Sequence, residues 1–355
     1  MILLVACWQR FSRFFTFSRV VISSALLLFF LGIRVNENVR QRSAGVPYTC
    51  SKLFKSGSLD RNISHERNGT WKPNGCNIRY RTINESVGCM SDLTNKNLNA
   101  PFIVFAGDSR PRQLRDGLVL ALTGQDWDKI ANPKVQMDDA VYKKHESNGE
   151  FHKSAGVHVR FEWIFHLDNG TGNMTHFIQH TILSEFKPNL LVLGVGVHRI
   201  RECHRKNISQ ANCAQEYKQH FLKLLPLLLQ LSNTTDIIWV PQTVINERLL
   251  RPPGDIGSGF TNENALLYNR MITEALDTLP DTSRRKITYW HSAWQSSVEL
   301  NDGLDGLHLG PHTKHHLTQM LIDWLCSSVS RREVSTFRRY QRLVWGSDPP
   351  QFCCS

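Results

Sequence analysis

None of the nine cysteines forms a Cys-x-x-Cys pair, which argues against a zinc site built on paired thiolates. No internal repeat or low-complexity linker divides the 355 residues, so one large domain accounts for most of the chain. No apolar run reaches the ~20 residues of a full membrane span. The nearest is the stretch over 20–33, VVISSALLLFFLGI. Acidic side chains are the scarcer sign, 31 against 42 Lys and Arg, for a net charge of +11.

The stretch over 20–33 is short, but Phe14, Phe15 and Phe17 extend its apolar character backward, and Arg10, Arg13 and Arg19 precede it. Positive charge before the run predicts a cytoplasmic segment over 1–19, a transmembrane signal anchor over 20–33 and a translocated remainder. A cleavable signal peptide is the rival reading. No small-x-small site follows Ile33, which favours the uncleaved anchor. Either way, the chain from about residue 40 onward faces the secretory lumen. Sequons at Asn62, Asn68, Asn84, Asn169, Asn173, Asn207 and Asn233 predict glycosylated surface positions. Beyond Cys7, eight cysteines remain at 50, 76, 89, 203, 213, 326, 353 and 354, enough for four disulfides in an oxidising compartment. Cys203 and Cys213 look like a local loop clasp. The positive field suits anionic ligands such as nucleotide sugars, coenzyme A or sialylated glycans, and nucleic acid is not expected in the lumen. Much of that charge lies in the leader and in a basic tail over 331–355, which also carries the Cys353-Cys354 pair.

Residues 34–100 read as a loop-rich, disulfide-containing lead-in around the Trp71-Lys72-Pro73-Asn74-Gly75-Cys76 cluster. Over 101–330, apolar periodicity predicts strands at 102–106, 157–166, 190–197, 237–242 and 287–292. It predicts helices at 110–122, 176–186, 214–231, 262–279 and 313–327. Strands alternating with helices predict an α/β fold, a three-layer α/β/α sandwich with a mostly parallel central sheet.

Two short motifs carry the chemistry. The first is Ile103-Val104-Phe105-Ala106-Gly107-Asp108-Ser109-Arg110, a buried strand running into a tight turn and a helix. Such a turn lifts the Ser109 hydroxyl from the carboxyl end of the sheet. The second is Asp305-Gly306-Leu307-His308. A neutral His308 takes the serine proton, while Asp305 fixes its tautomer and stabilises the imidazolium. Gly-Asp-Ser is by itself a common turn tripeptide, and a helix N-cap is the plain alternative for Ser109. Asp302 competes with Asp305, but only Asp305 stands three residues before a His. Arg110 and Arg112 are candidates for gripping an anionic substrate, with helix-surface ion pairs as the rival role. His312, His315 and His316 are expected as solvated helix residues, and no metal is expected. His198, at the end of a central strand, is either a site residue or structural.

Gly107-Asp108-Ser109-Arg110-x-Arg112-Gln113-Leu114 and Asp305-Gly306-Leu307-His308-Leu309 resemble the SGNH/GDSL hydrolase superfamily. Together with Trp71-x-Pro73-x-Gly75-Cys76, Tyr80, Cys89 and the Cys353-Cys354 pair, they resemble its PC-esterase branch of glycan O-acyl enzymes. Within that branch, the likeness over 46–355 is to the luminal domains of sialate O-acetyltransferases. The resemblance implies a Golgi type II membrane enzyme with Ser109 as nucleophile, His308 as base and Asp305 as its partner. It implies sialic acid or CMP-sialic acid as acceptor and no bound cofactor. Those enzymes continue into a many-helix membrane region that this chain does not show before Ser355. The expected acetyl donor is acetyl-CoA itself or an acetyl-delivering membrane protein. The same triad serves a sialate O-acetylesterase, and a catalytically inactive glycan-binding relative keeps the same fold. The superfamily places an oxyanion-hole Asn in a Gly-x-Asn-Asp block. Here the stretch reads Gly194-Val195-Gly196-Val197-His198, which leaves the Ser109 amide and a backbone amide at Gly194 or Gly196.

Overall fold

The computed structural model describes residues 52–60, 69–75, 78–97, 100–128, 146–168, 173–250 and 259–326, all within one compact unit, Cys50–Arg332. The expected anchor, the tail, Cys50, Cys76, Cys353, Cys354 and the sequons at Asn62, Asn68 and Asn169 lie outside the described residues. Among the described residues, no helix is long and apolar enough to cross a membrane.

Six strands form the central sheet: β3 (Phe102–Gly107), β4 (Asn148–His152), β5 (Val157–Trp163), β6 (Leu190–Gly194), β7 (Asp236–Trp239) and β8 (Ile287–Tyr289). Their spatial order is β4-β5-β3-β6-β7-β8. All pairings are parallel except the edge pairing of β4 with β5. The short β4 hairpin partner is absent from the sequence expectation, because NGEFH has too little apolar content to stand out. Residues alternate between two cores along β3. Ile103 and Phe105 face one core, and Val104 and Ala106 face the other, as a strand covered on both faces requires.

The first core is closed by α1 (Ile83–Asn97), α2 (Ser109–Thr123) and α9, a helix over 311–326, through Met90, Leu114, Leu118, Leu317 and Met320. The second is closed by α3 (Met174–Leu183), α4 (Val197–Arg205), α5 (Gln210–Leu231) and α6 (Asn262–Asp277), through Ile178, Ile200, Phe221, Leu224 and Ile272. The chain is thus an α/β protein with a mostly parallel sheet flanked by helices, compatible with a three-layer sandwich.

The lead-in is more ordered than a loop-rich wrap. Strands β1 (Gly57–Asp60) and β2 (Thr70–Pro73) form a hairpin, and Leu53, Phe54 and Trp71 join the α2-side core. Helix α1 opens on a capping box in which Thr82 N–H donates to Glu85 and Glu85 N–H donates to Thr82 Oγ1. Its Cys89 bonds to Cys326 at the end of α9, across 237 residues of sequence. The expected Cys203–Cys213 clasp is present. Three short helices also fall outside the sequence expectation, α4, α7 (Asp281–Arg284) and α8 (His291–Leu300). Pro226 stands inside α5 without ending it.

Candidate active site

Strand β3 is where the sheet order reverses, since the chain next adds β5 on one side and β6 on the other. In such sheets the crevice for ligands opens at the carboxyl end of that strand. Ser109 stands there as the first residue of α2. Gly107 is required for the approach, because a Cβ would lie 1.9 Å from the Gly194 carbonyl oxygen. Asp108 N–H donates to that same oxygen at 3.1 Å. The Asp108 side chain caps the helix by accepting from Arg110 N–H at 3.1 Å. Capping therefore falls to Asp108, not Ser109. Ser109 is 6% exposed, and its Oγ makes no hydrogen bond among the described residues.

Asp305 and His308 lie in the loop before α9. His308 Nδ1 is 2.6 Å from Asp305 Oδ2, and the His308 and Leu307 amides donate to Asp305 Oδ1 at 2.9 and 3.0 Å. Burial pushes the Asp305 carboxyl up. The His308 ring and the two amides outweigh it and hold the group well below the usual carboxylate range. A proton on Nδ1 satisfies this contact and leaves Nε2 as the basic nitrogen. Asp302, the rival, is used elsewhere: its carboxylate accepts from His312 N–H and Thr313 N–H and caps α9.

Gln113 joins the two motifs. One turn along α2 from Ser109, its Oε1 accepts from Leu309 N–H at 2.9 Å and its Nε2 donates to Leu309 C=O at 3.1 Å. Nε2 also reaches Asp128 Oδ2 at 2.8 Å, and Lys314 Nζ approaches the same carboxylate at 3.4 Å. Leu309, the residue after His308, is therefore fastened to the helix that opens with Ser109.

Arg110 and Arg112 are buried, 1% exposed each, so neither is placed to form an ion pair on an exposed helix surface. Arg110 Nε donates to Thr243 Oγ1 at 3.0 Å. Burial lowers its pKa, opposed by the charges of Asp108 and Asp305. Arg112 lies 3.4 Å from Asp116, which also pairs with Arg115. Arg112, Asp116 and Arg115 form one buried ion cluster, and Arg110 pairs separately with Thr243.

On the other side of Ser109, β5 ends at Trp163, in register with Gly107. Its ring meets His198, the second residue of α4, edge to face at 5.7 Å, and Phe165 lies 5.4 Å from the same imidazole. Strands β5 and β6 flank β3, so Trp163 and His198 follow the carboxyl ends of the two strands beside the one that leads to Ser109. Sequence reasoning found His198 but not Trp163, whose place at the end of an alternating strand was the available signal.

His316, expected as solvated, is buried, and its Nδ1 is 2.5 Å from the Tyr80 hydroxyl. His312 and His315 are exposed. Among the described residues, no group of three or more His, Cys, Asp or Glu is arranged to hold a metal ion. Of the described sequons, Asn84, Asn207 and Asn233 are exposed, and Asn173 is a half-buried cap of α3. No protein-family model matches the chain.

Proposed function

We propose that this chain is an SGNH-type O-acetyltransferase. It moves an acetyl group through acyl-Ser109 onto a hydroxyl of sialic acid, free or as CMP-sialic acid, in the Golgi lumen. The observation that carries the reading is the Gln113–Leu309 pair of hydrogen bonds, which ties the residue beside an Asp305-held His308 to the helix that opens with Ser109.

In the first half-reaction, His308 Nε2 takes the Ser109 proton as Oγ attacks the carbonyl carbon of an acetyl thioester, with acetyl-CoA as the donor. The tetrahedral oxyanion collapses, the C–S bond breaks, and the thiolate leaves with the proton from His308. In the second, a sugar hydroxyl gives its proton to His308 and attacks acetyl-Ser109. Collapse releases the ester and returns the proton to Ser109. Asp305 stays ionised throughout, orienting the ring and stabilising each imidazolium.

Incubating the chain with acetyl-CoA and CMP-sialic acid, and reading the sugar by mass spectrometry, tests the proposal. Acetylated sugar that disappears with Ser109→Ala is expected. No product with the wild-type chain contradicts the reading. Cleavage of a chromogenic acetyl ester that sugar acceptors do not divert favours an O-acetylesterase instead.

A further inference from the structure

The loop after β6 lacks the side-chain amide that such sites use to receive an oxyanion, yet its backbone is held with unusual firmness. Val195 turns its carbonyl into the protein. It accepts there from the Tyr217 hydroxyl at 2.6 Å and from Gln242 Nε2 at 2.8 Å. Both partners are buried. Gln242 is itself held through both of its backbone polar groups. Its N–H donates to Asn269 Oδ1 at 2.7 Å and its C=O accepts from Asn269 Nδ2 at 2.9 Å.

Tyr217 stands on α5, in the core on the sheet face opposite α2. In a trans peptide the N–H points opposite to the C=O, so the Gly196 N–H faces away from Tyr217, toward the side where Ser109 begins α2. That N–H donates to no group among the described residues, although the Gly196 carbonyl accepts from Arg199 and Ile200 amides. The conformation needs glycine: φ is 150°, and a Cβ would lie 2.7 Å from Gln242 Nε2. The contact of Asp108 N–H with the Gly194 carbonyl sets this loop against the nucleophile's turn.

We propose that Tyr217 and Gln242 are positioning residues for an oxyanion hole made of the Ser109 and Gly196 amides. They hold the Val195–Gly196 peptide so that its N–H meets the developing negative charge. The inference rests on Ser109 as the nucleophile and not on any particular acceptor.

The test uses the whole chain and a 4-nitrophenyl phosphonate ester. Ser109 Oγ bonds to phosphorus, the aryl P–O bond breaks, nitrophenolate leaves, and the Ser109 proton passes to His308. The adduct mimics the tetrahedral oxyanion. Tyr217→Phe is expected to slow phosphonylation about tenfold, and Tyr217→Phe with Gln242→Met about 100- to 1000-fold, the scale of one lost oxyanion donor. KM for 4-nitrophenyl acetate should stay within about twofold while kcat falls in parallel. A double variant that melts like wild type and reacts at the wild-type rate overturns the inference, as does a rise in KM alone. Should Tyr217→Phe fail to fold, Gln242→Met alone is expected to slow the reaction about tenfold, and a wild-type rate contradicts the proposal. A wild-type chain that takes no phosphonate on Ser109 contradicts the nucleophile reading and this one with it. Phosphonylation without sugar acetylation leaves the oxyanion hole standing and contradicts the acceptor alone.

Discussion

Gln113 and Leu309, 196 residues apart in sequence, exchange two hydrogen bonds, one from each end of the glutamine amide to the backbone beside His308. A leucine at 113 would leave a buried N–H and a buried C=O unpaired, each costing about 1–3 kcal/mol. Gln113→Leu is therefore expected to destabilise the fold by several kcal/mol and to lower kcat by at least tenfold. Gln113→Glu is the sharper variant. It keeps the acceptor for Leu309 N–H but sets a carboxylate against Asp128. Denaturant unfolding and ester turnover on both variants check the expectation. Wild-type kcat in Gln113→Leu would contradict it.

The Asp305 carboxyl, held well below its usual range by His308 and two amides, stays ionised wherever an imidazole titrates. The acid limb of kcat/KM is thus expected to follow a single proton with a slope of one. Asp305→Asn should lower kcat by about four orders of magnitude, because it leaves His308 with the wrong tautomer. A slope of two on the acid limb would place a second titrating group in the mechanism.

Burial, aided by the charges of His315 and His312, pushes the His316 imidazole down to about 4. The unfolded chain binds this proton near pH 6.5 and the folded chain near 4. Stability is therefore complete above about 6.5 and is lost as the pH falls between the two, by ~3 kcal/mol in all. His316→Asn should flatten this part of the pH profile in thermal unfolding. An unchanged profile would assign the loss to other groups.

The Cys89–Cys326 bond closes a loop of 237 residues, and Cys203–Cys213 closes one of 10. Loop-closure entropy gives about 5 kcal/mol for the first and about 3 for the second. Replacing Cys89 and Cys326 by Ser should lower the melting temperature more than replacing Cys203 and Cys213. The reverse order would mean that local strain, not chain entropy, sets the balance.

Much of this fold is legible in local pattern. LLVLG reads as a central strand because both of its faces are covered, and Phe102–Gly107 followed by Asp108 and Ser109 reads as a strand, a turn and a helix. Where expectation and structure part, the reason is equally local. GVGVH continues the apolar run of β6, so the strand is expected to 197. The strand ends at Gly194, and Gly196, at a φ open only to glycine, caps α4, which starts at the next residue. Trp290, His291 and Ser292 read as the end of β8 but cap and open α8. Helix α1 hides among sequon and cysteine signals, although Thr82-x-x-Glu85 marks its start. Ser109, His308 and Asp305 are visible as motifs. The bonds that join the two motifs run from Gln113 to Leu309, and those that hold the loop after β6 run from Tyr217 and Gln242 to Val195, across 22 to 196 residues, and no periodicity encodes such contacts.

The covalent intermediate is the most direct point of contact between this account and experiment. The chain is mixed with acetyl-CoA, quenched in acid and mapped by peptide mass spectrometry. The account predicts an acetyl group on Ser109, slow to appear in Asp305→Asn, absent in Ser109→Ala, and lost when CMP-sialic acid is added before the quench. An acetyl group on another residue, or none on Ser109 while acetylated sugar accumulates, would contradict it.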